Sequence, residues 1–152
     1  MPRVDNEVII NAPAAEIYRY VSQPGNLPQI WPSLLEITHA QLLANGGYSY
    51  RWKYKMSGIS LSGTGECIEN KPNQLLVSKN IGDFESTVTF TFQSFNVRTR
   101  VYISFDYQLS ALLSNHLTEN IILRMNTKEA GLILDNLRIV LEANLAALPQ
   151  PV

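Results

Sequence analysis

A single cysteine, Cys67, stands in 152 residues. An internal disulfide is thereby excluded, as is a zinc module built on several cysteines. Neither sign of charge dominates: twelve Lys and Arg face thirteen Asp and Glu, for a formal charge of -1. Nucleic-acid binding rests on a cationic surface, so none is expected. No apolar run approaches the roughly 20 residues that cross a membrane, and residues 1–11 lack the apolar centre of a signal peptide. Stable membrane insertion is not expected, and the cytoplasm is the default location. Charged residues are scarce at 16%, while hydrophobic ones are ordinary at 45%. That balance suits a chain that spends uncharged side chains on lining an interior or an interface. The length predicts one domain over 1–152. Low charge also leaves room for a homodimer through an edge strand.

Elements follow from the pattern that remains. Residues 4–10 read as a β-branched strand. Asn11-Ala12-Pro13 ends it and opens a helix, because proline is pre-shaped for the first helical turn. Gln23-Pro24-Gly25-Asn26 stops that helix, and 27–31 offers one more short turn. Strands are expected at 34–44, 48–56, 59–70, 74–81, 84–92 and 98–109, separated by glycine, asparagine and proline turns. The second of these is the clearest. Tyr48, Tyr50, Trp52, Tyr54 and Met56 alternate with Ser49, Arg51, Lys53 and Lys55, a period of two with rings on one face and charge on the other. In the next strand, Gly63 and Gly65 share a face with Leu61 and Cys67, which lets the sheet curl or another element come close. The alternation in 84–92 sets Phe84, Val88, Phe90 and Phe92 inward; that in 98–109 does the same for Phe105, Tyr107 and Leu109.

Past residue 112 the period changes to 3.6. Ile122, Met125, Glu129, Leu132 or Ile133, Asn136 or Leu137, Leu141 and Leu148 mark one face of a long helix over 117–148, with a break before Leu117. A six-strand meander with an oily face must bury it, and only this helix is long enough to lie across it. The expected class is α+β: a strongly curved antiparallel sheet wrapped around a long C-terminal helix, with two short helices after the first strand.

The two ends of the chain carry a family likeness. Ile10-Asn11-Ala12-Pro13-Ala14-Ala15-Glu16-Ile17-Tyr18-Arg19-Tyr20-Val21-Ser22, followed by Gln23-Pro24-Gly25-Asn26-Leu27-Pro28 and Trp31-Pro32, resembles the start of polyketide cyclase/dehydrase-like proteins of the START-like, helix-grip superfamily. Glu129, Leu134-Asp135-Asn136-Leu137-Arg138 and Leu141-Glu142 resemble the closing helix of that group. The resemblance implies a cavity between sheet and helix that holds a hydrophobic, lipid-, quinone- or polyketide-like small molecule. It carries no catalytic set onto this chain.

Candidate wall residues are Trp31, Tyr50, Trp52, Tyr54, Phe90, Phe92, Phe105 and Tyr107, with Met125, Leu132, Ile133 and Asn136 opposite them on the helix. Plain core packing is the rival reading. Rings that carry polar atoms are costly in a dry core, which favours the ligand wall for Trp52 or Tyr54. Trp31, on a loop beside Pro32, reads either as a core cap or as a gate at the cavity mouth. His39 and His116 have no partners at metal-ligand spacing, so neither a metal nor a cofactor is expected. Alternation sets Glu66 and Glu69 on opposite faces, which gives no paired-carboxylate site. Three function classes stay open: a carrier or sensor of an apolar molecule, a cyclase- or dehydratase-type enzyme, and an interaction module with a filled core. A void much smaller than about 300 Å³ favours the last.

Overall fold

The first strand, β1 (Arg3–Ile10), leads through Pro13, whose extended backbone precedes the first turn, into α1 (Ala14–Val21). Ala14, Ile17 and Val21 are buried and recur at helical spacing, so one face of α1 packs on the core. A 3-10 turn at Pro24–Asn26 runs straight into α2 (Leu27–Ile30). Six strands follow: β2 (Leu34–Leu42), β3 (Tyr48–Met56), β4 (Ile59–Lys71), β5 (Leu75–Gly82), β6 (Glu85–Phe95) and β7 (Arg98–Gln108). Then come a single turn, α3 (Ala111–Ser114), and the long helix α4 (Glu119–Ala146). The computed structural model describes residues 2–108 and 111–146; Leu109 and Leu148, expected at the ends of the last strand and helix, lie outside them.

All seven strands form one antiparallel sheet in the order β1-β7-β6-β5-β4-β3-β2. Sequential hairpins account for every neighbour except β1, which returns to pair with β7. The sheet grips α4, which lies against β1 and β7, while α2 touches both α4 and β2. This is the helix-grip fold. On α4 the residues Ile122, Ala130, Leu134, Leu137 and Leu141 are buried at intervals of three, four or their sums, and Ile133, beside Leu134, is buried with them. Each such aliphatic side chain contributes about 1.5–3 kcal/mol by leaving water. Thr99 is fully buried at the start of β7, and its hydroxyl donates to the Ala12 carbonyl at 2.8 Å. That bond ties the sheet to the loop that launches α1.

Three local expectations change. β2 ends at Leu42 rather than residue 44, and its ladder slips between Thr38 and Gln41, where His39 takes a left-handed φ of 55°. In β4 a bulge between Cys67 and Glu69 inserts Ile68, so strict alternation fails and both Glu66 and Glu69 face solvent. Phe84 sits in the turn before β6 instead of inside the strand. The break before Leu117 is present, because α3 ends at Ser114 and α4 starts at Glu119.

Candidate functional site

The wall of the cavity begins with the two glycines of β4. Trp52 lies opposite Gly63 and Tyr50 opposite Gly65. A methyl group on Gly63 would sit 2.4 Å from the Trp52 ring, and one on Gly65 would sit 2.5 Å from the Tyr50 ring. Both rings therefore lie down over the neighbouring strand, in space that only glycine leaves free. Their faces are turned inward instead of their edges. Phe84 then lies tilted against Trp52 at 4.7 Å between centroids and meets Tyr54 edge-on at 5.4 Å. Trp31 lies nearly parallel to Phe105 at 5.3 Å, and its indole N–H points to the Tyr54 hydroxyl at 3.4 Å.

These rings enclose a cavity of about 100 Å³ between the concave face of the sheet, the turn at Pro24 and the first turns of α4. Of the residues expected in the wall, Trp31, Tyr50, Trp52, Tyr54, Phe90, Phe105 and Tyr107 line it. Phe92 does not; it stacks against Phe90 and meets the edge of Tyr18 beneath α1. The expected helix side lies elsewhere too. Met125, Leu132, Ile133 and Asn136 are not among the lining residues, and Ile122 and Asn126 take that place. The reason is where along α4 the core is filled. Its middle is packed solidly, with Ile133 and Leu137 fully buried, and it is the first turns, at Ile122 and Asn126, that reach the cavity. Asn136 is occupied as well, donating to the Ile30 carbonyl at 3.1 Å and so closing the end of α2.

Burial governs the chemistry of the lining. The Tyr50 hydroxyl donates to Asn80 Oδ1 at 3.2 Å, and Asn80 Nδ2 donates to Ser86 Oγ at 3.2 Å. Loss of solvation pushes the Tyr50 phenol up to about 12. Tyr54 is also pushed up to about 12, first by burial and then by the nearby carboxylate of Glu129. Glu129 is itself buried on α4 and accepts the Ser33 backbone N–H at 2.7 Å. Burial raises Tyr107 and Cys67 in the same direction. All four groups are therefore neutral at physiological pH. Among the described residues, the lining holds no carboxylate, imidazole, ammonium or guanidinium group. No cluster of three or more His, Cys, Asp or Glu among them is placed to hold a metal ion. His39 and His116 are both exposed.

Sequence reasoning missed the polar side of the cavity, formed by Ser78, Asn80, Ser86 and Asn126. Alternation through Leu76, Ser78 and Asn80 in β5, and from Phe84 through Ser86 to Val88, carried that signal. Asn126 had none, being a polar residue one step from the expected Met125.

The family described as "Polyketide cyclase / dehydrase and lipid transport" has a model that matches residues 1–142. The chain belongs to this family. No curated protein matches the sequence. Among solved structures, the protein TTHA0849 from Thermus thermophilus has 22% identity and a TM-score of 0.74, over 94% of this chain and 99% of that one. The Zhui aromatase/cyclase from a Streptomyces species has 13% identity and a TM-score of 0.79, covering 96% of each chain. A START superfamily protein from Mycobacterium smegmatis has 16% identity and a TM-score of 0.79, over 93% of this chain and 98% of that one. At such identities these likenesses speak for the fold. In this polyketide cyclase/dehydrase-family chain the sheet-to-helix cavity is therefore built from its own rings, glycines and amides.

Proposed function

We propose that the protein binds a hydrophobic, ring-containing small molecule in the cavity between the sheet and the first turns of α4. The observation that carries this reading is the lining itself. Aromatic and aliphatic side chains make up most of it, yet the polar atoms of Tyr50, Asn80, Ser86, Tyr107 and Asn126 are gathered on one side. A core meant only to be filled has no use for such atoms, since each buried polar group needs a partner. The membership of a family whose description includes lipid transport points the same way. Binding, and not proton transfer, is what neutral tyrosines and amides offer at physiological pH.

The volume favours a second reading. About 100 Å³ is well below the roughly 300–1,000 Å³ of pockets for drug-sized ligands. A filled-core interaction module fits that number. The ligand reading requires a guest of one ring at most and some opening of the wall, because it takes a cavity of roughly 150 Å³ to admit one benzene ring. Phe84, borne on a turn and half-buried, is also free to swing without disturbing a ladder.

Fluorescence titration separates the two. Trp52 and Trp31 both line the cavity, so a bound aromatic guest changes tryptophan emission saturably. The expected result is saturation with small aromatic compounds, weakened in Trp52→Ala, with unfolding midpoints recorded for both proteins. A stable parent that shows no saturable change with a varied aromatic and fatty panel is a filled-core module. Equal affinities in parent and variant remove Trp52 from the site.

A further inference from the structure

Four successive strand pairings align one row of residues across the sheet. Tyr50 of β3 lies opposite Gly65 of β4, Gly65 opposite Asn80 of β5, Asn80 opposite Ser86 of β6, and Ser86 opposite Tyr107 of β7. The four that carry side chains all line the cavity. Gly65 keeps the row continuous, because a methyl group there would lie 2.5 Å from both Asn80 Oδ1 and the Tyr50 ring.

Hydrogen bonds within the row run in one direction. The Tyr50 hydroxyl donates to Asn80, and Asn80 donates to Ser86 Oγ. Ser86 thus accepts and keeps its own O–H to give. Tyr107 ends the row. It is 5% exposed, and its hydroxyl has no hydrogen-bond partner among the described residues. The Asn126 amide on α4 lines the same end of the cavity and is the one polar side chain that favours the ionised form of Tyr107, against the larger effect of burial. A buried hydroxyl without a partner is costly, and one that faces a cavity can be completed by a ligand.

We infer that Ser86, Tyr107 and Asn126 form a hydrogen-bonding anchor for the oxygen of a neutral, single-ring aromatic ligand, an aryl ketone or a phenol. This deepens the cavity-binding reading and rests on it. A carbonyl oxygen has two lone pairs, which match the two hydroxyl donors of Ser86 and Tyr107. The cavity volume of about 100 Å³, below the roughly 150 Å³ that admits benzene, limits the guest to one ring, seated as half-buried Phe84 moves aside. Neutrality follows from the lining, where no described residue carries a charge to offset a carboxylate. A fatty acid or a benzoate is therefore excluded, and a plain hydrocarbon leaves the anchor unused.

Calorimetric titration with a matched pair tests the anchor. Acetophenone and α-methylstyrene share a skeleton and differ by C=O against C=CH2. Acetophenone is expected to bind the parent about tenfold more tightly, a difference of about 1.4 kcal/mol. Tyr107→Phe and Ser86→Ala should bring the ratio to within about twofold while leaving α-methylstyrene affinity unchanged. Tyr107→Phe should keep or raise the melting temperature, since its hydroxyl has no bond to lose. Equal binding of the pair by the parent overturns the anchor while sparing the cavity reading. Benzoate binding as tightly as acetophenone overturns the neutral-ligand assignment, and a fall of several degrees in the Tyr107→Phe melting temperature assigns the hydroxyl to the fold instead. Binding of neither probe by a folded parent overturns the cavity reading itself.

Discussion

Replacing Gly63 with alanine tests how the aromatic wall is seated. The added carbon would lie 2.3 Å from the Ile81 carbonyl oxygen and 2.4 Å from the Trp52 ring. The ring can tilt, but the carbonyl belongs to the paired backbone of β5 and cannot swing aside. Overpacking of this kind costs about 1–3 kcal/mol. Alanine also restricts the unfolded chain and returns about 0.4–1 kcal/mol, which at the middle of both ranges leaves a net loss of about 1.3 kcal/mol. For a chain of this size the melting temperature should fall by roughly 2–8 °C. The control is Gly25→Ala, where nothing lies within 4 Å of the new methyl group, and stability should hold or rise slightly. Urea unfolding followed by circular dichroism and by tryptophan emission reads both variants, the second signal reporting on Trp52 directly. A Gly63→Ala protein that melts within about 1 °C of the parent would refute the steric account of the wall. So would a Gly25→Ala loss of the same size.

Thr99→Val keeps the shape of a fully buried side chain and removes its hydroxyl donor to Ala12; a loss of about 1–3 kcal/mol is expected in urea unfolding, because the carbonyl is left unpaired. Alkaline pH should destabilise the fold through Tyr50 and Tyr54. Their folded values of about 12 lie above the ordinary value of 10, so their contribution is complete below pH 10 and is lost as the pH rises through 12. The gap corresponds to at most about 3 kcal/mol per ring; Tyr54→Phe should flatten the fall in stability over that window, and ultraviolet titration should show two late-ionising phenols. Asn136→Leu should cost about 1–3 kcal/mol by orphaning the Ile30 carbonyl, with no effect on cavity ligands.

Much of the fold was legible because each level agreed with the next. The period of two from Tyr48 to Met56 gave β3 with its bounds, and the shift to 3.6 past residue 112 gave α4. The break before Leu117 showed in the flexible-looking segment Ser114-Asn115-His116. What periodicity could not give was register. The row from Tyr50 to Tyr107 exists only because four pairings bring distant positions into line, and no single strand encodes that alignment. Bulges are equally silent: inserting Ile68 reversed the side expected for Glu69. On α4, apolar spacing marked the buried face but not which part of it lines the cavity. Ile133 was therefore expected at the cavity and packs instead in its solid part, while Asn126 went unnoticed.

The central claim is that a small molecule enters the space between the sheet and the first turns of α4. Methyl-resolved NMR of the parent during titration with acetophenone locates binding residue by residue. The methyl groups of Leu76, Val88, Leu113 and Ile122 line the cavity, whereas those of Leu134, Leu137 and Leu141 belong to the packed stripe of α4. The account predicts saturable shifts in the first group, with the second group nearly still. Shifts that never saturate, or that fall on exposed methyl groups such as Leu35 and Ile139 while the cavity group stays fixed, would contradict it.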